Sequence, residues 1–148
     1  MNIQIDVQHA STCENIPADT KIINWAKLAL SNNNDSVEFT IRIVDEEEMF
    51  ELNHKWRGIE KITNVLSFPA GENLVAPELL GDIAICAPVI NREAIEQEKL
   101  LEAHWAHMII HGVLHLLGYD HNMNKEAEKM ESQEIEFLKT LNFPNPYE

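Results

Sequence analysis

The chain has 148 residues, of which 45% are hydrophobic and 24% are charged, as in an ordinary soluble globular domain. Its 25 acidic and 11 basic residues give a formal net charge of −14, which excludes binding to nucleic acid by overall charge alone. No apolar run reaches the roughly 18 residues of a membrane span, and the N-terminus lacks the basic and then apolar segments of a secretory signal.

The first half of the chain predicts two strands and two helices. Residues 3–7 alternate between apolar and polar side chains, which is typical of a strand. Pro17 suits the first position of a helix whose apolar face comes from residues 22–30. A second alternating strand covers residues 37–44, and Asp45 is placed to cap the helix that follows.

The second half predicts two further strands and then helices. Short strands are expected over residues 65–68 and 79–87. A long helical stretch runs over residues 88–117 with a break near Lys99, and a last helix fits residues 125–141. No linker divides the chain, so we predict a single α+β domain over its whole length of 148 residues. It should have a small mixed sheet of about four strands with helices packed against it.

Two cysteines and two acidic clusters are interpreted as structural features. Cys13 and Cys86 lie far apart and form no C-x-x-C pair, so reduced thiols in the cytosol are expected. Cys86 lies in an apolar run and should be buried. We expect the acidic clusters to be solvated helix faces; they are Asp45–Glu48 and, near the C-terminus, Glu126, Glu128, Glu131, Glu134 and Glu136.

The segment from His111 to His121 has the strongest indication of chemistry. His111 and His115 are four residues apart on a helix that is apolar nearly all round, so both rings lie on one face. Buried imidazoles need polar partners or a metal, and at this spacing two nitrogens can converge on one ion. Gly118 can end the helix in a left-handed conformation and turn the chain so that His121 becomes a third ligand. We therefore predict one zinc ion at the end of a buried helix, with a fourth position left for water as in catalytic sites.

The same histidine and glycine offsets occur in the metzincin proteases, H-E-x-x-H-x-x-G-x-x-H. In those enzymes the Glu is the general base. This chain has Gly112 at that position, which counts against peptide hydrolysis.

Three neighbouring residues have other expected roles. His107 is also four residues before His111, but three successive turns spread over about 12 Å, too far for one ion. His104 and His107 are therefore expected to be packing or hydrogen-bonding residues. Asp120 can either orient a ligating imidazole or cap a turn.

A basic patch interrupts the acidic chain between Asn53 and Lys61. It contains Arg57, whose planar guanidinium suits a phosphate because it donates two bonds at once. An ordinary surface loop is the alternative interpretation of this patch.

Three blocks of sequence indicate a family resemblance. They are Leu52-Asn53 through Trp56-Arg57-Gly58 with Thr63-Asn64-Val65-Leu66-Ser67-Phe68-Pro69; Leu80-Gly81-Asp82-Ile83; and His111-Gly112-x-Leu114-His115-Leu116-x-Gly118-Tyr119-Asp120-His121. With these blocks the chain resembles, from about Leu52 onward, the YbeY family of bacterial rRNA maturation factors. Many members of that family have Asp where this chain has Asn64 and Pro where it has Ile62.

The resemblance implies a single-strand-specific, zinc-dependent endoribonuclease of the cytoplasm. It implies action in 16S rRNA 3′-end maturation and ribosome quality control, with ribosomal RNA and small-subunit ribosomal proteins as partners. The three zinc histidines of the family correspond to His111, His115 and His121, and its functionally important arginine corresponds to Arg57, the predicted catalytic residue.

Two other functions remain open at this point. One is a metzincin-like peptide hydrolase that lacks the usual Glu. The other is a zinc-stabilised ribosome assembly factor that acts by binding, for which an acidic surface suits contact with basic ribosomal proteins.

Overall fold

The computed structural model of the chain describes residues 2–71, 76–120 and 123–148. Within these ranges strands and helices alternate as far as the third strand, a fourth strand comes next, and three helices follow. The elements are β1 (Ile3–Ala10), α1 (Asp19–Ala29), β2 (Val37–Val44), α2 (Glu46–Arg57), β3 (Val65–Pro69), β4 (Leu79–Cys86), α3 (Ala87–Glu96), α4 (Leu101–Leu116) and α5 (Asn124–Thr140).

The four strands form one mixed sheet in the order β1-β2-β4-β3. β1, β2 and β4 are parallel, and β3 pairs antiparallel to β4. Parallel neighbours need long crossover connections, and α1 supplies the one between β1 and β2. β3 lies at the edge of the sheet, where Pro69 at its end is tolerated because a proline cannot donate to a central ladder. The predicted α+β fold with a small mixed sheet and packed helices is confirmed.

Helix α4 is the centre of the core. It packs against α1, α3 and α5 and against strands β3 and β4. Its apolar side chains meet those of the central strands in one continuous cluster that includes Phe39, Ile41, Ile83, Trp105 and Ile109, each at most 1% exposed. A helix buried on nearly all sides explains the almost uninterrupted apolar sequence that predicted it. This packing also fixes the position of the histidines at its C-terminal end.

Several local predictions are confirmed and one needs correction. The predicted helix from Pro88 to Leu117 does break near Lys99, where Glu98 has a positive φ of 54° and separates α3 from α4. Cys86 is fully buried, and this burial raises the pKa of its thiol to about 11. Pro17, however, does not open α1, because the helix begins at Asp19 with Ala18 as its N-cap residue.

Asp45 has the predicted position but a different role. It is the N-cap residue of α2, yet its side chain makes no capping hydrogen bond. Its carboxylate instead accepts hydrogen bonds from the Ser11 hydroxyl and from the backbone N–H and hydroxyl of Thr12, the last two at 3.0 Å. The side chain therefore ties the segment after β1 to the end of β2. These hydrogen bonds lower the pKa of Asp45 from its ordinary value of 3.8.

We expect Asp45→Asn to destabilise the protein at neutral pH by about 1–2 kcal/mol, because charge-assisted hydrogen bonds to Ser11 and Thr12 are weakened. A carboxyl group with a lowered pKa stabilises the fold above its unfolded-state pKa, and this contribution disappears as the pH falls through the folded-state value. The difference in the free energy of unfolding between wild type and variant should therefore become smaller below about pH 4. Urea unfolding at pH 7 and pH 3 measures both differences, and a gap that does not change with pH would contradict the assignment.

Among the described residues, no helix combines the length and the hydrophobicity that a membrane span requires.

Candidate metal centre and its cleft

Helix α4 ends in the glycine turn that the sequence predicted. The Gly118 N–H donates to the His115 carbonyl at 3.1 Å, and the Tyr119 N–H donates to the Leu114 carbonyl at 3.0 Å. These are the paired bonds of a Schellman motif. Gly118 has a φ of +100°, a conformation that residues with side chains rarely adopt. The turn brings the Tyr119 carbonyl oxygen to 3.0 Å from Nδ1 of His115.

The partners of His111 and His115 determine which nitrogen of each ring carries the proton. A carbonyl oxygen only accepts, so Nδ1 of His115 donates to Tyr119. Nδ1 of His111 lies 3.2 Å from Oε1 of Glu134, and an ionised carboxylate also only accepts. In a neutral ring the Nε2 atom then has the lone pair, which is the form that ligates a metal.

The two Nε2 atoms meet at the end of the helix. They lie 3.1 Å apart, with the ring planes at 81° to each other. Tetrahedral zinc with nitrogens at 2.0–2.1 Å separates two ligand atoms by about 3.3 Å. The two Nε2 atoms are therefore spaced as two ligands of one ion of this size would be. The predicted third ligand, His121, lies outside the described residues.

Glu134 on α5 is a site residue that the sequence interpretation missed. We expected it to lie on a solvated helix face, but it is only 1% exposed. Besides His111, its carboxylate accepts from Nε2 of His107 and from the hydroxyl of Tyr147 at 2.8 Å. Burial alone raises its pKa, but the hydrogen bonds from the two imidazoles outweigh burial and lower the pKa from 4.5 to about 2. Glu134 is therefore a buried carboxylate directly behind His111.

His107, His111 and Glu134 offer a second arrangement of metal ligands. One ligand atom from each of His107, His111 and Glu134 lies within 4.8 Å of the others, so this group could hold a metal ion. This group is less accessible to solvent than the predicted ligands His111 and His115. The side chains of His107 and Glu134 are 8% and 1% exposed, whereas His111 and His115 line an open cleft. The His111–His115 side is therefore open to a substrate through this cleft.

His104 and His107 were expected to be packing or hydrogen-bonding residues, and both make hydrogen bonds. Nε2 of His104 lies 2.9 Å from Oε1 of Glu93, and Nε2 of His107 bonds Glu134. In the part of the chain that the structure describes, the buried Nδ1 atom of each ring has no hydrogen-bond partner. Both Nε2 atoms face carboxylates, so they carry the ring protons.

The cleft beside the histidines has a volume of about 910 Å³. Arg57 and Lys61 line it together with His111, His115 and Asp120. Among the described residues, the cleft thus contributes two permanent cations and one carboxylate on a chain whose net charge is −14. This local balance suits a polyanion better than the molecule as a whole does.

Arg57 is held at this cleft by strand β3. Its Nη2 donates to the Ser67 carbonyl at 2.6 Å, and its guanidinium lies 5.6 Å from the ring centroid of Phe68. The Ser67 hydroxyl in turn donates to the carbonyl of Gly112 in α4 at 2.9 Å. One residue of β3 therefore connects the arginine to the helix that contains the histidines. The structure brings Arg57 to the same cleft as His111 and His115, although the arginine is far from both histidines in sequence.

The chain matches a known protein family over most of its length. Residues 4–142 match the family described as Endoribonuclease YbeY. The chain belongs to the YbeY family. Its structure is also similar to the solution structure of TM1509 from Thermotoga maritima, with a TM-score of 0.60 and 25% sequence identity over 92% of this chain and 91% of that one. Membership of the YbeY family supports a nuclease role in rRNA processing, with RNA as the substrate.

The YbeY-family match extends the resemblance beyond the three sequence blocks, because it begins in β1 and ends just after α5. Gly112 packs closely against the sheet. A Cβ atom at that position would lie 3.1 Å from Cγ2 of Ile83 and 3.4 Å from Cγ2 of Val65. Position 112 therefore faces the sheet, so a Glu there could not serve as a base in the cleft without displacing core side chains. The lack of a Glu at position 112 counts against peptide hydrolysis.

Proposed function

We propose that the protein is a single-strand-specific, zinc-dependent endoribonuclease that acts in 16S rRNA 3′-end maturation and ribosome quality control. The observation that supports this most directly is the convergence of two imidazole Nε2 atoms, 3.1 Å apart, in a cleft that also contains Arg57. We further propose that the protein acts in the cytoplasm as one domain over residues 1–148.

The proposed ligands of one zinc ion are His111, His115 and His121. The first two fit because hydrogen bonds at Nδ1 leave the lone pair on each Nε2 atom, and the two Nε2 atoms lie 3.1 Å apart. The motif that places His121 three residues after Gly118 supports the third. When bound, zinc supplies a Lewis acid and activates water near neutral pH, which suits a site without the metzincin Glu.

The proposed catalytic residue is Arg57. A guanidinium donates two parallel hydrogen bonds to a phosphate and keeps its charge at any pH relevant to the protein. Negative charge increases on the phosphate oxygens as a phosphodiester is attacked, and a cation already fixed beside the site stabilises that charge. The bond to the Ser67 carbonyl restrains the side chain at the cleft wall and leaves its other N–H groups for the substrate.

The proposed partners are ribosomal RNA and proteins of the small ribosomal subunit. RNA would enter the cleft, where Arg57 and Lys61 provide positive charge. The rest of the chain, with its excess of acidic residues, suits contact with basic ribosomal proteins. This division of charge reconciles an acidic protein with an RNA substrate.

The test is an RNA cleavage assay with the purified, zinc-loaded protein. A single-stranded RNA that contains the 3′ precursor sequence of 16S rRNA should be cut, and the same sequence in a duplex should remain intact. A His115→Ala protein purified in the same way controls for contaminating nuclease. If the zinc-loaded wild type leaves the single strand uncut, or cuts the duplex as well, the proposal is wrong in its activity or in its specificity.

The net charge of −14 also favours a second candidate, a zinc-stabilised assembly factor that acts only by binding basic ribosomal proteins. Arg57→Ala separates the two functions when zinc content, binding to the small subunit and 16S maturation are all measured. A catalyst loses maturation while it keeps zinc and binding. A pure binding factor with the same zinc content and binding should still support maturation.

A further inference from the structure

A buried hydrogen-bond network lies behind His111, on the side away from the cleft. Both oxygens of Glu134 take part: Oε1 faces Nδ1 of His111 at 3.2 Å, and Oε2 accepts from Nε2 of His107 and the hydroxyl of Tyr147. Tyr147 is the penultimate residue of the chain. The network therefore connects the C-terminal tail to a histidine at the cleft.

We propose that Glu134 is a positioning residue for His111 and that the C-terminal tail, through Tyr147, holds Glu134 in place. This inference rests on the proposed function, because it takes His111 as a zinc ligand through Nε2. Glu134 is acceptor-only and 1% exposed, so it keeps the proton of His111 on Nδ1 and the lone pair of Nε2 directed to the cleft. A partner of this kind typically changes metal affinity by roughly 10–100-fold.

The tail is attached at several points, which supports a defined role for Tyr147. Its ring packs edge-on against His107, with centroids 5.5 Å apart and planes at 84°. Its backbone N–H donates to Oδ1 of Asn145 at 2.8 Å, and Nζ of Lys99 donates to the Pro146 carbonyl at 3.3 Å. The residue is 47% exposed as a whole although its hydroxyl reaches Glu134. Removing the hydroxyl alone therefore deletes its bond to Glu134 and its 3.3 Å contact with Nε2 of His107, and leaves the ring contacts.

The first test is zinc affinity, measured by competition with a chromophoric chelator. Glu134→Gln keeps the shape of the side chain but removes its charge, and we expect zinc to bind roughly 10–100-fold more weakly. Tyr147→Phe should also weaken zinc binding, but by a smaller factor than Glu134→Gln. Thr140→Val is the matched control, because it removes a hydroxyl of α5 that donates to the Glu136 carbonyl; its affinity should equal that of the wild type.

The second test needs no metal. Long-range proton–nitrogen NMR spectra of the metal-free protein assign the ring proton of His111 to Nδ1 or Nε2. We expect Nδ1–H in the wild type and a shift toward Nε2–H in Glu134→Gln, with thermal unfolding recorded for each variant. If Glu134→Gln does not fold, Tyr147→Phe decides through zinc affinity.

The outcomes separate this inference from the proposed function. A wild-type protein that binds no zinc and cuts no RNA overturns the proposed function, whereas the ring tautomer still reports on Glu134. A wild type that binds zinc normally, with Glu134→Gln and Tyr147→Phe unchanged in both affinity and tautomer, overturns the inference alone. Weaker zinc binding together with the tautomer shift supports it.

Discussion

His115→Ala is expected to abolish stoichiometric zinc binding, whereas His107→Gln is expected to retain it. The first change deletes one of the two Nε2 atoms that converge at the cleft. The loss of zinc affinity should exceed the roughly 10–100-fold that follows removal of a residue hydrogen-bonded to a ligand, because here a direct ligand is removed. In the second change the glutamine amide can still donate to Glu134, so the network behind His111 is largely kept. Metal content after dialysis, measured by plasma mass spectrometry, tests both variants.

This pair of variants also decides between the two ligand arrangements around His111. If the metal is held instead by His107, His111 and Glu134, the results reverse, and His107→Gln loses the metal while His115→Ala keeps it. His111→Ala loses metal under either arrangement and does not discriminate. His54→Ala is the control for removing any histidine, because His54 is exposed and lies on α2, outside both groups. Far-ultraviolet circular dichroism of each variant checks that the fold is intact.

The fold and the histidine pair were predictable from sequence because their signals are local. Strand alternation and the helical period repeat every two to four residues, so a single element reveals itself without the rest of the chain. The same holds for the end of α4, where Gly118 adopts the predicted positive φ and closes the helix. The spacing of His111 and His115 on one helix then fixes their relative position.

Glu134 was misassigned because it was grouped with acidic neighbours along the sequence. Its position on the helix gave a better signal. Glu134 follows Met130 by four residues and precedes Phe137 and Leu138 by three and four, so it lies on the stripe that α5 buries. A charged residue on a buried stripe must be compensated. The residues that compensate it, His107, His111 and Tyr147, belong to other elements, and no local pattern identifies them.

The role of Asp45 was missed for a related reason. An acidic residue at a helix start favours a capping role by local rules, and Asp45 does occupy that position. Its carboxylate binds Ser11 and Thr12 instead, because the parallel pairing of β1 and β2 brings the residues after β1 next to the end of β2. Strand order is a tertiary property, and the sequence patterns do not contain it.

Arg57→Ala is expected to lower RNA cleavage by roughly 100-fold or more while zinc content stays at the wild-type level. Removing one preorganised group that stabilises transition-state charge typically costs about 10²–10³ in kcat. Arg57 is such a group in the proposed mechanism, because its bond to the Ser67 carbonyl holds it in the cleft with His111 and His115. Steady-state cleavage of a single-stranded RNA by the zinc-loaded variant measures the change. An effect confined to the transition state should lower kcat and kcat/KM equally, whereas a rise in KM alone would indicate a binding role.

Two further arginine variants make this result specific. Arg57→Lys keeps the positive charge but loses the planar pair of donors, so we expect activity between that of Arg57→Ala and the wild type. Arg92→Ala removes a half-exposed arginine that pairs with Glu46 away from the cleft, and it should cleave RNA at the wild-type rate. If a metal-loaded Arg57→Ala protein also cleaves at the wild-type rate, the arginine does not act on the phosphate. Equal losses in Arg57→Ala and Arg92→Ala would instead trace the effect to overall charge, since both changes remove one cation from a chain that already has a net charge of −14.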